Sequence, residues 1–124
     1  MKSLAFVFIG GGIGSLLRYL GVVGLQSFSA AFPYGTLSVN ILGSFLIGFI
    51  AIFLEHDLSF DGARHLLVIG LLGGFTTFSA FSFESVDLLR AGNYAAASAY
   101  ILASVAFCLA ATMLGLWLGR MVVA

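Results

Sequence analysis

The sequence predicts an all-α integral membrane protein with four transmembrane helices, and three observations carry the prediction. The 124-residue chain is 61% hydrophobic and 8% charged, whereas a soluble domain carries about 25% charged residues to cover its surface. Its apolar residues fall into long stretches separated by short polar segments. Those stretches do not alternate polar with apolar as membrane β-strands must; residues 41–50 read ILGSFLIGFI. Five basic and five acidic residues give a formal net charge of zero, which leaves no basic patch for nucleic-acid phosphates.

A membrane-crossing helix needs about 20 mostly apolar residues. The first span is expected over 4–25. It opens like a signal peptide, with Lys2 before an apolar run, but the run continues past Arg18 to Leu25 without a small-residue cleavage site. The charge-free stretch 19–54 is too long for one span. Pro33 and Gly35 mark a turn within it, so the second span is placed at 35–54. The third is placed at 64–89 and the fourth at 93–119. Four spans use about 80 residues, so residues 1–124 form a single transmembrane domain with no room for an ATPase or receptor domain. Cys108 is the sole cysteine and cannot form an intrachain disulfide.

With four spans, both ends and the 55–63 loop share one side, which carries Lys2, Arg64 and Arg120. Arg90 lies on the other side, and Arg18 lies toward it. The positive-inside rule reads such bias in short loops, and this bias is nearly balanced. One explanation is a chain that inserts both ways up; the other is a misplaced helix end. Four thin helices do not readily enclose a polar path, so an oligomer is expected. Gly10/Gly14, Gly70/Gly74 and Gly115/Gly119 form GxxxG pairs, and Ser44/Gly48 adds a small-xxx-small pair. Such pairs let helix backbones approach closely, within a chain or between chains.

Polar groups in hydrocarbon are costly, and those that persist usually face a cavity or a partner. Arg18 fits either an anion-attracting vestibule group or, by position alone, an arginine snorkelling to the headgroups. Asn40 lies inside the second span, where its amide could donate to a dehydrated anion or make an ordinary interhelical bond. In the third span, Gly73-Gly74 followed by Thr76-Thr77 makes a poor continuous helix. A break in mid-membrane frees carbonyls, which something must satisfy, a bound cation being one option. Phe75, Phe78 and Phe81 then recur every three residues, with Ser79 and Ser82 on another face. In the fourth span Tyr100, Ser104, Cys108 and Thr112 form one stripe at intervals of four. These groups are neutral donors.

Glu84 and Asp87 fall near the end of the third span, and His56 and His65 fall at the 55–65 loop, where solvation is expected. There is no metal-ligand cluster, no Ser/His/Asp set and no GxxxxGK[ST] phosphate cradle, so no enzyme is expected.

The segments GGGIGSLLRY at 10–19, GTLSVNILGSFLIG at 35–48 and GLLGGFTTFSAFSFE at 70–84 resemble the small bacterial fluoride channels, the Fluc or CrcB family, over nearly the whole chain. The resemblance implies a multi-pass protein of the bacterial inner membrane, assembled as an antiparallel, dual-topology homodimer. It implies passive fluoride export through two pores at the dimer interface. It further implies a central structural sodium ion held by backbone carbonyls at the break in the third span. Matched to the motif, those carbonyls belong to Gly73 and Thr76, and the pore phenylalanines are Phe78 and Phe81. Asn40, Ser79, Tyr100 and Ser104 match the polar fluoride path, and Arg18 and Glu84 the remaining charged positions. Two positions depart: the family usually reads TTFSTF where this chain has Ala80, and Cys108 stands where a second serine is common.

A small multidrug transporter coupled to protons is the alternative four-helix reading. It relies on a carboxylate in the first helix, where this chain has only Arg18. A non-transporting membrane subunit would need neither the glycine break nor the donor stripe.

Overall fold

The computed structural model describes residues 1–26, 31–56 and 62–124. Parts of the two predicted connections, 27–30 and 57–61, lie outside the described residues. Four helical spans, Lys2–Gln26, Tyr34–His56, Arg64–Arg90 and Tyr94–Val123, are each long and apolar enough to cross a membrane. At 1.5 Å per residue, even the shortest, of 23 residues, exceeds the hydrocarbon thickness of about 30 Å.

Helix α1 (Lys2–Gln26) and helix α2 (Tyr34–His56) are continuous. Pro33 precedes α2, and its carbonyl accepts the Leu37 N–H at 3.2 Å, so proline stands where no intrahelical donor is needed. The third span has three parts. Arg64–Leu72 is π-helical, Gly73–Phe75 forms a short α-helix, α3, and Phe78–Arg90 forms α4. Between α3 and α4, Thr76 (φ −83°, ψ 155°) and Thr77 (φ −150°, ψ 123°) are extended. The π-helical run was not expected from the sequence. In it the Gly73 N–H reaches Val68 O, five residues back, and such geometry recurs at functional sites.

Gly92, at φ +77°, ends α4. The Asn93 N–H bonds Leu88 O and the Gly92 N–H bonds Leu89 O, both at 3.0 Å; this is the C-terminal motif that favours glycine. The Asn93 side chain then accepts the Ala96 N–H at 3.3 Å and starts α5 (Tyr94–Val123).

The spans pack in crossed order. Helix α1 lies mainly against the third span, and α2 mainly against α5. Glycine makes both seams possible. A Cβ at Gly14 would strike Leu71 O, and one at Gly74 would lie 3.2 Å from Gly11 Cα. A Cβ at Gly48 would strike Thr112 O, and one at Gly115 would strike Phe45 O. The glycine pairs are therefore used for packing within the chain. Thr112 reinforces the second seam, its Oγ1 lying 3.0 Å from Ser44 O and 3.1 Å from Cys108 O.

Candidate functional site

The two extended threonines interrupt a helix, so their peptide groups need partners from elsewhere. Asn40 on α2 supplies them. Its Nδ2 donates to Thr77 O at 2.9 Å, and its Oδ1 accepts the Thr77 N–H at 2.8 Å. The Asn40 amide thus pairs with the Thr77 peptide as a neighbouring strand would. Thr77, 8% exposed, caps α4 by accepting the Ala80 N–H at Oγ1, 3.1 Å away. That hydroxyl also lies 3.2 Å from Ser79 Oγ. On the other side of the interruption, the Thr76 N–H and Oγ1 both donate to Leu72 O, each at 2.9 Å.

Beside this interruption an open groove of about 460 Å³ runs between α2, the third span and α5. Asn40, Ser44, Thr76, Thr77, Ser104 and Cys108 give it polar or polarisable atoms, and Phe78 and Phe81 line it with aromatic rings. Phe78 is 77% exposed in the single chain. The two rings lie 5.4 Å apart between centroids, and Phe81 lies 5.4 Å from Tyr100. Phe32 meets the Tyr100 ring edge-on at 5.6 Å.

A second cluster lies one turn further along α4. Glu84 accepts hydrogen bonds from Thr36 Oγ1 (2.8 Å, to Oε1) and from Tyr100 OH (2.7 Å, to Oε2). Thr36 and Tyr100 are fully buried. One half-buried carboxyl group therefore ties α2, α4 and α5 together by accepting from two hydroxyls.

The structure brings Asn40, Gly73, Thr76, Phe78, Phe81 and Ser104 to one groove. Ser79 and Tyr100 adjoin it through Thr77 and Phe81. Glu84 sits behind Tyr100. Arg18, half-buried on α1 one turn beyond Gly14, is not among the groove-lining residues. Thr112, at the far end of the predicted stripe, bonds backbone carbonyls. His65 differs from the expectation of a solvated side chain, since its Nδ1 is buried and unpaired among the described residues.

Sequence reasoning missed Thr36 and Thr77 as site residues. Both left a signal: Thr36, Asn40 and Ser44 repeat every four residues on α2 and so share one face, and Thr77 stands where a helix restarting after the glycines needs a cap.

Comparison with known proteins finds similarity over nearly the whole chain. Relatives include the fluoride-specific ion channel FluC of Phocaeicola vulgatus, 45% identical over 97% of this chain and 100% of the relative. The protein of the same name from Rhizobium meliloti is 47% identical over 99% of this chain and 100% of its own length. That from Roseiflexus sp. is 46% identical over 95% and 97%. The family described as CrcB-like protein, Camphor Resistance (CrcB), matches residues 5–116, which include both helix seams, the threonine interruption and the groove, and the chain belongs to that family.

Proposed function

We infer that this chain is a fluoride-selective channel that lets fluoride leave the cytoplasm passively across the bacterial inner membrane. The observation that carries the reading is the groove, which combines neutral donors with phenylalanine rings and carries no fixed charge among its lining residues. Relatives that match nearly the whole chain are named as fluoride-specific channels, not enzymes. Fluoride holds its hydration water strongly. Hydroxyl and amide donors, with the positive edges of aromatic rings, can replace that water without trapping the ion as a fixed cation would. Conduction needs binding that is favourable yet weak enough to release.

The groove is open on one side in the single chain, and Phe78 projects from it. A second copy packed antiparallel over this face would close it and give two equivalent paths, in keeping with the near balance of basic residues across the two sides. Within each path, Phe78 and Phe81 would flank the ion while the hydroxyls of Ser104 and Ser79 offer protons to it, and Tyr100, whose own proton goes to Glu84, backs the Phe81 ring. The N-terminal end of α4, held beside the groove by the Asn40–Thr77 pairing, adds the positive end of a helix dipole.

The carbonyls of Gly73 and Thr76 suit a sodium ion. In an unbroken helix they would accept from the N–H groups of Thr77 and Ala80, but those donors go to Asn40 Oδ1 and Thr77 Oγ1. The Gly73 and Thr76 carbonyl oxygens of two copies would hold such a cation as the hard oxygen set it takes, and its charge would offset the carbonyl dipoles. Arg18 and Glu84 are assigned as vestibule and structural charges.

Purified protein in liposomes loaded with fluoride or chloride tests the central claim. Fluoride release far faster than chloride release, without added energy, is expected. Equal rates, or no release, would overturn it.

A further inference from the structure

We propose that Asn40 and Thr77 are the positioning residues that keep the Gly73 and Thr76 carbonyls free for a cation, by holding the two N–H groups that would otherwise satisfy them. This rests on the sodium reading above and adds how the site is built.

In a continuous α-helix each carbonyl accepts the N–H four residues on. For Gly73 that donor is Thr77, and for Thr76 it is Ala80. The Thr77 N–H lies 2.8 Å from Asn40 Oδ1, and the Ala80 N–H lies 3.1 Å from Thr77 Oγ1. Two side-chain oxygens thus withdraw one donor each from the two carbonyls.

The anchoring is two-sided. Asn40 also donates to Thr77 O at 2.9 Å, so the whole peptide of Thr77 is fixed to α2. Thr77 is buried, so water does not readily take over as a substitute acceptor. Gly43, one turn along α2 from Asn40, lets the chain come this near, since a Cβ there would strike Thr76 Cγ2. The segment 40–43 of α2 therefore works as a clamp on the interruption. Without the clamp, an α-helical closure of the segment would pair both N–H groups with the carbonyls one turn back. A buried donor left unpaired is costly enough to drive that closure.

The test measures how far sodium chloride, against N-methylglucamine chloride, raises the thermal unfolding temperature of the detergent-purified full chain. It compares Asn40→Ala with Asn40→Asp, and Thr77→Val with Thr77→Ser. Asp and Ser keep the acceptor oxygen; Ala and Val remove it. The sodium concentration giving half the shift should rise about tenfold or more in Asn40→Ala and Thr77→Val, the scale of one hydrogen bond competing at each site. It should stay within about threefold of wild type in Thr77→Ser, whose acceptor is intact, and fall between wild type and Asn40→Ala in Asn40→Asp, which keeps the acceptor but loses the amide donor to Thr77 O.

Fluoride release separates the cation site from the anion path. Asn40→Asp should slow release by placing a carboxylate on the groove while its sodium response persists. A residue that merely stabilised the fold would not show this split.

Each residue is judged on its own pair. Folded Asn40→Ala or Thr77→Val with a wild-type sodium response overturns the assignment of that residue, as does loss of the response in its Asp or Ser variant. If Asn40→Ala is not recovered folded, Asn40→Asp decides position 40 by the same criterion. A wild-type chain whose unfolding ignores sodium removes the sodium reading and this inference together. A responsive wild type with unresponsive pairs removes this inference alone.

Discussion

Replacing Gly14 with alanine should loosen the seam between α1 and the third span, and the same change at Gly12 should not. A Cβ at Gly14 would lie 2.9 Å from both Leu71 C and Phe75 N and would strike Leu71 O. Ordinary contact begins at 3.4 Å, so the two backbones must part by at least 0.5 Å. All three obstacles are main-chain atoms that cannot rotate away. Overpacking of this kind costs about 1–3 kcal/mol, and the better helix propensity of alanine returns up to about 1 kcal/mol. The net expectation is a loss of about 1–2 kcal/mol for Gly14→Ala. At Gly12 a Cβ meets nothing within 4 Å, so Gly12→Ala keeps only the propensity gain, up to about 1 kcal/mol. Chemical or thermal unfolding in detergent should therefore separate the two variants by the overpacking cost, about 1–3 kcal/mol, with Gly14→Ala the weaker. The seam lies within one chain, so the gap should not change with protein concentration. Equal stability of the two variants, or a gap that grows on dilution, would refute the reasoning.

Tyr100→Phe removes the 2.7 Å bond to Glu84 Oε2 and leaves a carboxylate oxygen short of a donor. A loss of about 1.5–3 kcal/mol is expected, read by the same unfolding assay, and a change under about 0.5 kcal/mol would contradict it. Phe78→Ile or Phe81→Ile should slow fluoride release from liposomes while size-exclusion chromatography shows the same assembly as the wild type; unchanged release in both removes the rings from the proposed path. Thr112→Val should lower stability by about 0.5–1 kcal/mol and leave fluoride release within about twofold of wild type, because its hydroxyl bonds Ser44 O and Cys108 O. A large fall in release would return Thr112 to the path.

The four spans were legible because hydrocarbon demands long apolar runs, and each observed end lies within a few residues of the expected one except at Val123, where α5 runs on past 119. The glycine pairs were legible as close contacts but not as contacts between particular helices, since spacing along one helix says nothing about which neighbour fills the gap. The π-helical run Arg64–Leu72 had no signal in periodicity, which nine residues are too few to resolve between 3.6 and more residues per turn. Asn40 was legible as an expensive polar group inside a span. Its partner was not, because the Thr77 peptide is 37 residues away, is common to every residue type and becomes available only once the third span is interrupted. The Thr36–Glu84–Tyr100 cluster was hidden for a related reason. Each member was visible on its own helix, but only the packed arrangement shows that three spans deliver them to one carboxylate.

The crossed packing of the spans, first with third and second with fourth, bears on how the chain is made. No span has its chief partner beside it in sequence. As the protein emerges into the membrane, α1 and α2 arrive without the surfaces they fit. The first seam can close only when Gly70 and Gly74 have entered, and the second only when Gly115 has followed. A ribosome that stops before α5 leaves α2 with its glycine face against lipid. Helix α5 is therefore the one that closes the second seam, and until it enters the membrane the glycine face of α2 waits for its partner.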